Sequence, residues 1–131
     1  MPEYKGSCHC GSVKFKIQSE IQELTTCDCS LCIKKNAVMT KVHEDDFVLL
    51  SSWEHVSEYK WNMKIARHFF CKHCGIYTFH RKRAQPDHYG VNIFCLDDFD
   101  SSVVKIRATK GDNMTVKATD ARLEWQGPRT A

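Results

Sequence analysis

A chain of 131 residues is the size of one ordinary domain and can bury roughly two-thirds of its unfolded surface around a single core. With 42% hydrophobic and 27% charged residues it reads as a soluble globular protein, without the run of about 18 apolar residues that a membrane span needs. A net charge of +3 is too small to argue for nucleic acid, and the start MPEYKGSCHC lacks the charged-then-apolar layout of a secretory signal. The segment His80 to Arg83 (HRKR) is the one basic cluster, and it reads as a solvated turn.

The expected elements are short and extended. Val13-Lys14-Phe15-Lys16-Ile17 alternates apolar and basic, the mark of a half-buried strand. Leu24 to Thr26 leads into the triple-cysteine loop CDCSLC. Ala37 to Val42 and Phe47 to Leu50 read as strands around the polar turn His43-Glu44-Asp45-Asp46. Trp53, Tyr59 and Trp61 stand at even spacing, which predicts a strand over Trp53 to Trp61. Ile65 to Phe70 runs into Cys71-Lys72-His73-Cys74-Gly75, and Ile76 to His80 leaves that turn as another strand. Tyr89 to Leu96 is apolar and β-branched, with Val91, Ile93 and Cys95 expected on one face. Leu96 to Asp100 opens a short helix or loop, Val103 to Ala108 and Met114 to Ala118 are weaker strands, and the tail after Trp125 reads as loose. No segment sustains a 3.6-residue apolar period. The expectation is a single domain over residues 1–131, mainly β, with short antiparallel sheets whose turns carry metal ligands. Metal binding would then supply folding free energy to a modest core.

Eight cysteines are the outlier. Their spacings are C-x-C, C-x-C-x-x-C and C-x-x-C. Such spacings strain a disulfide but let neighbouring thiolates point at one ion, so the chain reads as a reduced, cytoplasmic zinc protein. Cys71-Lys72-His73-Cys74-Gly75 between two strands is a zinc knuckle, in which glycine permits the positive φ of the turn. A redox C-x-x-C would instead open a helix. Cys8-His9-Cys10-Gly11 supplies a second pair, and Cys8, Cys10, Cys71 and Cys74 together make a closed four-thiolate site. His9 or His73 in place of one sulfur is the alternative.

That leaves Cys27, Cys29, Cys32 and Cys95. Cys95 either completes a second four-thiolate site or is a small buried hydrophobe in its strand. Without it the triple holds an ion with one open position, and structural zinc sites are closed whereas catalytic ones stay open. An electron-rich three-thiolate ion is a poor activator of water and better suited to a soft ligand, which points to a thiol substrate.

The stretches CHCGSVKF, CDCSLC, FFCKHCG and VNIFCLDD, in that order and with Trp53 between them, resemble the glutathione-dependent formaldehyde-activating enzyme family, whose domain also occurs in centromere protein V. The resemblance runs from about residue 4 to residue 100; Ser101 to Ala131 carries no pattern assigned to it. It implies a fold similar to the Rab-accessory-type zinc-binding (β-tent) proteins. It implies a structural zinc at Cys8, Cys10, Cys71 and Cys74 and a second, labile, catalytic zinc at Cys27, Cys29 and Cys32. The implied activity is that of a carbon–sulfur lyase run in reverse, joining formaldehyde or a related small aldehyde to the glutathione thiol to give S-hydroxymethylglutathione. Lys34 and Lys35, just past the triple, would attract the glutathione carboxylates. His43, His55 and His88 are candidate proton donors because histidine titrates near neutrality. Trp53, Tyr59, Trp61 and Phe94 read as core or pocket wall. Two other classes compete: a non-catalytic interaction module with both metal sites structural, resting on HRKR, and a thiol redox or metal-buffer protein using the CDCSLC loop.

Overall fold

The computed structural model describes residues 2–27, 30–60, 67–82, 85–100, 102, 104, 106–109 and 127–131, with backbone alone at Cys27, Ser30, Cys32 and Ile106–Thr109. The expected strand Met114 to Ala118, Trp61 and Arg83 lie outside the described residues.

Two sheets carry the fold. The smaller joins β1 (Glu3–Ser7), β2 (Lys14–Gln18), β5 (Phe47–Leu49) and β11 (Arg129–Thr130) in the order β1-β2-β5-β11. The larger joins β3 (Leu24–Cys27), β4 (Met39–His43), β6 (Val56–Tyr59), β7 (Arg67–Cys71), β8 (Tyr77–Arg81), β9 (His88–Asn92) and β10 (Ile106–Thr109), with spatial order β10-β3-β4-β9-β8-β7-β6. The mainly β expectation holds. Most pairings are antiparallel, but β10 runs parallel to β3 and β11 parallel to β5. The second pairing corrects the reading of the tail as loose: Arg129 and Thr130 add an edge to β5, and the Arg129 guanidinium donates to the Asp45 carbonyl at 2.8 Å.

The alternation in β2 works as the pattern demands: Phe15 and Ile17 are fully buried while Lys14 and Gln18 face water. Phe47 and Leu49 extend the same inner face across β5. Phe69, Phe79, Tyr89 and Val91 of the larger sheet pack against them. Phe47 sits at the centre, its ring 4.7 Å from that of Phe79 and 4.6 Å from that of Tyr89. Aromatic side chains fill this interface because each buries a large apolar area in a rigid shape.

Period-two alternation also decides what lies on the other face of the larger sheet. His68 and His80 are cross-strand partners adjacent to Phe69 and Phe79, so they point away from the aromatic core. Both are nonetheless buried. Their side is partly covered by the helix α1 (Ser30–Lys35), whose Lys35 reaches His68. The triple-cysteine segment is therefore not a plain loop; it enters a six-residue helix. Asn36, with φ 51, ends it in the left-handed region where asparagine is well tolerated.

Three further expectations are corrected. Trp53–His55 is a 3-10 turn, not strand; Ser52 caps it by accepting from the Glu54 amide, and the strand begins at Val56. The strand expected over Tyr89 to Leu96 stops at Asn92, whose side chain caps the 3-10 turn Ile93–Cys95, so Cys95 sits in a turn. The first half of HRKR is not a solvated turn: His80 and Arg81 close β8 and are 7% and 4% exposed. Arg81 donates to Glu44 at 2.6 Å and stacks over the Tyr89 ring.

Candidate metal centre and active-site cleft

The hairpin β7–β8 and the β1–β2 turn each present a cysteine pair to the same point. In the first, the Cys71 amide donates to the Ile76 carbonyl and the Gly75 amide to the Cys71 carbonyl, both at 2.9 Å. In the second, the Cys8 amide donates to the Val13 carbonyl at 3.0 Å. Gly75 at φ 77 and Gly11 at φ 84 take the left-handed conformation that lets the chain fold back under the sulfurs. Amides then turn inward: Val13 N–H donates to Cys8 Sγ at 3.3 Å, and the His73 and Cys74 amides donate to Cys71 Sγ at 3.3 and 3.4 Å.

The result is a cluster of Cys8, Cys10, Cys71 and Cys74 with all four sulfurs within 4.8 Å of one another. Cys8 Sγ lies 3.6 Å from Cys10 Sγ, which lies 3.7 Å from Cys71 Sγ. These gaps are far beyond a sulfur–sulfur bond and close to the edge of a tetrahedron, about 3.8 Å, that follows from a zinc–sulfur bond of about 2.3 Å. Burial pushes the Cys71 thiol up to about 11 against the pull of the Cys74 and His73 amides. At Cys74 burial also raises, but the Ile76 and Cys10 amides outweigh it and bring the thiol down to about 6. Four soft donors converging without a bridge, one of them poised to ionise, can hold a metal ion and are compatible with zinc. Neither His9 nor His73 belongs to the cluster. The His73 ring instead meets His55, Nε2 to Nδ1 at 2.9 Å.

Cys95 lies beside this cluster without joining it. Its buried thiol donates to the Tyr77 carbonyl at 3.6 Å, and it lines a hollow of about 500 Å³ with Cys8, His9 and the exposed Phe94. Burial first, then Cys8 and Cys74, push the thiol up to about 12.

The second cysteine motif opens the other region. Cys27 ends β3, and Cys32 lies in α1 one turn before Lys35. Cys29 and the thiols of Cys27 and Cys32 lie outside the described residues. Beneath α1 runs a cleft of about 300 Å³ bounded by Leu31, Lys35, Tyr59, His68, Phe70 and Tyr77. Lys34 points to solvent, whereas Lys35 is half-buried in the cleft. Lys35 Nζ lies 3.2 Å from His68 Nδ1 and 3.9 Å above the Tyr77 ring. The His68 and His80 rings stack at 5.2 Å, and His80 Nδ1 meets the Tyr77 hydroxyl, which also reaches Met39 Sδ at 3.2 Å. Burial, then the Lys35 charge, holds His68 down at about 3. Burial, then Lys35, Lys82 and His68, lowers His80 well below the usual imidazole range.

His43, His55 and His88 do not line this cleft. His43 and His88 face each other across β4 and β9 and share Asp87, and His55 sits with His73 at the knuckle. Of the expected wall residues, Tyr59 lines the cleft, while Trp53 packs on Phe69. His68, His80 and Tyr77 were not singled out from the sequence. The available signal was hairpin register: a C-x-x-C turn places the strand residues on either side opposite each other, and His68 pairs with His80.

Fold and sulfur geometry together define a β-sheet protein able to hold a metal ion on four cysteines, with a second cysteine motif at a cleft. The chain belongs to the glutathione-dependent formaldehyde-activating enzyme family, whose sequence model matches residues 3–118. That match continues past residue 100, so the segment after Ser101 is less foreign to the family than the motifs suggest. The chain is also similar to the crystal structure of a Rhodobacter sphaeroides protein, with a TM-score of 0.75 and 31% identity, covering 80% of this chain and 99% of that one. Among the described residues no helix is long and apolar enough to cross a membrane.

Proposed function

We propose that this protein joins formaldehyde, or a related small aldehyde, to the thiol of glutathione, giving S-hydroxymethylglutathione, and that it does so as a cytoplasmic carbon–sulfur lyase-type enzyme built as one domain over residues 1–131. The observation that carries this reading is the family match over residues 3–118. The cleft beside the second cysteine motif supports it.

Cys8, Cys10, Cys71 and Cys74 would hold a structural zinc, and Cys27, Cys29 and Cys32 a second, exchangeable one. Zinc on the triple would supply an open position at which a thiol ionises at neutral pH. The chain's own residues do the rest. Lys34, exposed at the end of α1, attracts a glutathione carboxylate. Leu31, Tyr59 and Phe70 give the cleft an apolar wall that keeps water from competing for the aldehyde. Lys35 brings positive charge into the cleft, where a second carboxylate or a developing oxyanion would meet it.

The rival interaction module drew on HRKR, of which His80 and Arg81 are buried. The test is elemental analysis followed by glutathione titration and exchange NMR of formaldehyde between its free and thiol-bound forms. The expected result is two zincs per chain, one perturbed by glutathione but not by its S-methyl analogue, and exchange faster than the spontaneous reaction. Two zincs indifferent to glutathione, with exchange at the spontaneous rate, would sink the enzyme reading.

A further inference from the structure

The cleft holds an arrangement that the glutathione reading does not itself require. Lys35 reaches inward from the last turn of α1, where its nitrogen lies 3.2 Å from the Nδ1 of His68 and 3.9 Å from the centre of the Tyr77 ring. A lysine nitrogen that carries its proton donates and cannot accept, so His68 Nδ1 is the acceptor and the His68 proton sits on Nε2. Behind His68 the stacked ring of His80, fixed by the Tyr77 hydroxyl, braces it. Gly90, paired with His80 across the sheet, leaves room for that ring; a methyl there would lie 2.8 Å from both of its nitrogens.

We propose that Lys35 is the catalytic proton donor of this cleft and that His68 is the residue that positions it, an inference that rests on the thiol–aldehyde reading above. The atoms balance as follows. The thiol sulfur gives up its proton and bonds to the carbonyl carbon. The carbonyl π pair moves to oxygen, and the Lys35 ammonium transfers a proton to that oxygen. The proton released by the thiol returns through solvent to the Lys35 amine, so no oxidant or reductant is needed. An alkoxide is a far stronger base than an amine, so the transfer runs downhill. His68 cannot intercept the proton, because burial and the Lys35 charge leave the imidazole too weak a base. The cation–π contact and the imidazole acceptor together hold the ammonium in the cleft. Cys32, the last cysteine of the second motif, lies one turn earlier on the same short helix as the donor.

The experiment compares wild type, Lys35→Met, Lys35→Arg, His68→Leu and His68→Asn by exchange NMR with glutathione and formaldehyde, together with ¹⁵N spectra of the histidine rings. Lys35→Met should lower the catalysed part of kcat by about 10²-fold, the usual scale for a positioned general acid, with KM for glutathione nearly unchanged. Lys35→Arg keeps the charge but holds its protons too tightly, and should lose activity almost as fully. His68→Leu should lower kcat, and His68→Asn, whose amide oxygen can replace the acceptor, should recover part of it. The His68 Nδ1 resonance should report a hydrogen bond in wild type that vanishes in Lys35→Met. A Lys35→Met enzyme with kcat intact and raised KM would make Lys35 a carboxylate clamp and overturn the proposal. Full activity in Lys35→Arg would overturn it too, by showing that charge alone suffices. A His68 resonance unchanged in Lys35→Met would remove the positioning role. Wild type without acceleration over the spontaneous reaction would bring down the thiol–aldehyde reading as well, which separates the two failures.

Discussion

The four-sulfur cluster and the cleft under α1 share one hairpin but are built on opposite principles. Cys71 and Cys74 occupy the turn between β7 and β8, while His68 and Tyr77 stand three residues to either side of that pair. At the turn, donors converge on a point, and backbone amides turn toward the sulfurs. That region is closed by its own geometry. Three residues away the same strands present the His68 imidazole and the Tyr77 phenol, and α1 adds the inward Lys35, around a space of about 300 Å³. The first arrangement fixes the hairpin, and the second uses the fixed hairpin to hold polar groups in an apolar wall. One turn motif can therefore serve stability and reactivity at once, provided that the two are kept on different parts of the ladder.

Breaking the closed region should have the largest effect. Cys71 is fully buried, and structural zinc in small domains contributes about 10–16 kcal/mol of apparent binding free energy that is also folding free energy. Cys71→Ser should therefore lose the cooperative thermal transition and bind one metal ion fewer per chain. A folded variant with undiminished metal content would show that the cluster does not hold the hairpin together.

Next in size is the ion pair at the far end of β8. Arg81 is 4% exposed and donates to Glu44 at 2.6 Å. Glu44 is part-buried, so its removal gives up a charge-assisted hydrogen bond, typically about 1.5–3 kcal/mol. Glu44→Ala should lower the unfolding free energy measured by urea titration by about that much while leaving the metal content of the four-sulfur cluster intact. A shift below about 1 kcal/mol would mean that water screens the pair.

The cleft makes its own demand on pH. His68 is held at about 3 and His80 well below its usual value, against about 6.5 in an unfolded chain. Above pH 6.5 both rings are neutral in either state and add no pH dependence. As pH falls below 6.5 the unfolded chain takes up protons that the fold refuses, so stability declines, by about 1.4 kcal/mol per pH unit for each histidine, down toward pH 3 for His68. Among the described residues Lys35, Lys82 and Tyr77 act on these rings, and the two cations reinforce the refusal. Urea midpoints measured from pH 7.5 to pH 5 should fall steeply in wild type and less steeply in His68→Leu. Parallel curves would mean that His68 titrates normally in the fold.

The two regions also differ in how well the sequence announces them. Cysteine spacing is local information: C-x-C-G and C-x-x-C-G dictate turns, and the four cysteines that cluster could be named before any strand was placed. The mainly β architecture followed from alternation in Val13–Ile17 and from the absence of a helical period. The cleft is made of long-range information. His68, Tyr77 and His80 carry no spacing signal of their own, and Lys35 meets them only because α1 crosses the outer face of the sheet. The same blindness made HRKR look solvated, since nothing local says that Arg81 finds Glu44 or that His80 is roofed over. The strand expected over Tyr89 to Leu96 ended early for a related reason: an apolar run reads as a continuous strand, but the Asn92 side chain caps a turn and ends it.

The smallest perturbation gives the sharpest separation of the two regions. Gly90 pairs with His80, and a methyl at Gly90 would stand 2.8 Å from the two His80 ring nitrogens. A buried ring stacked on His68 and held by Tyr77 has nowhere to move without disturbing both. Gly90→Ala should therefore cost about 1–3 kcal/mol, the usual range for overpacking a well-filled site, and should displace the cleft residues rather than the knuckles. In a denaturation series its midpoint should drop modestly, with the four-cysteine metal content unchanged and the His68 and His80 ring resonances shifted. Unmoved ring resonances would show that His80 has slack, and the rigid support attributed to the cleft would then have to come from α1 instead.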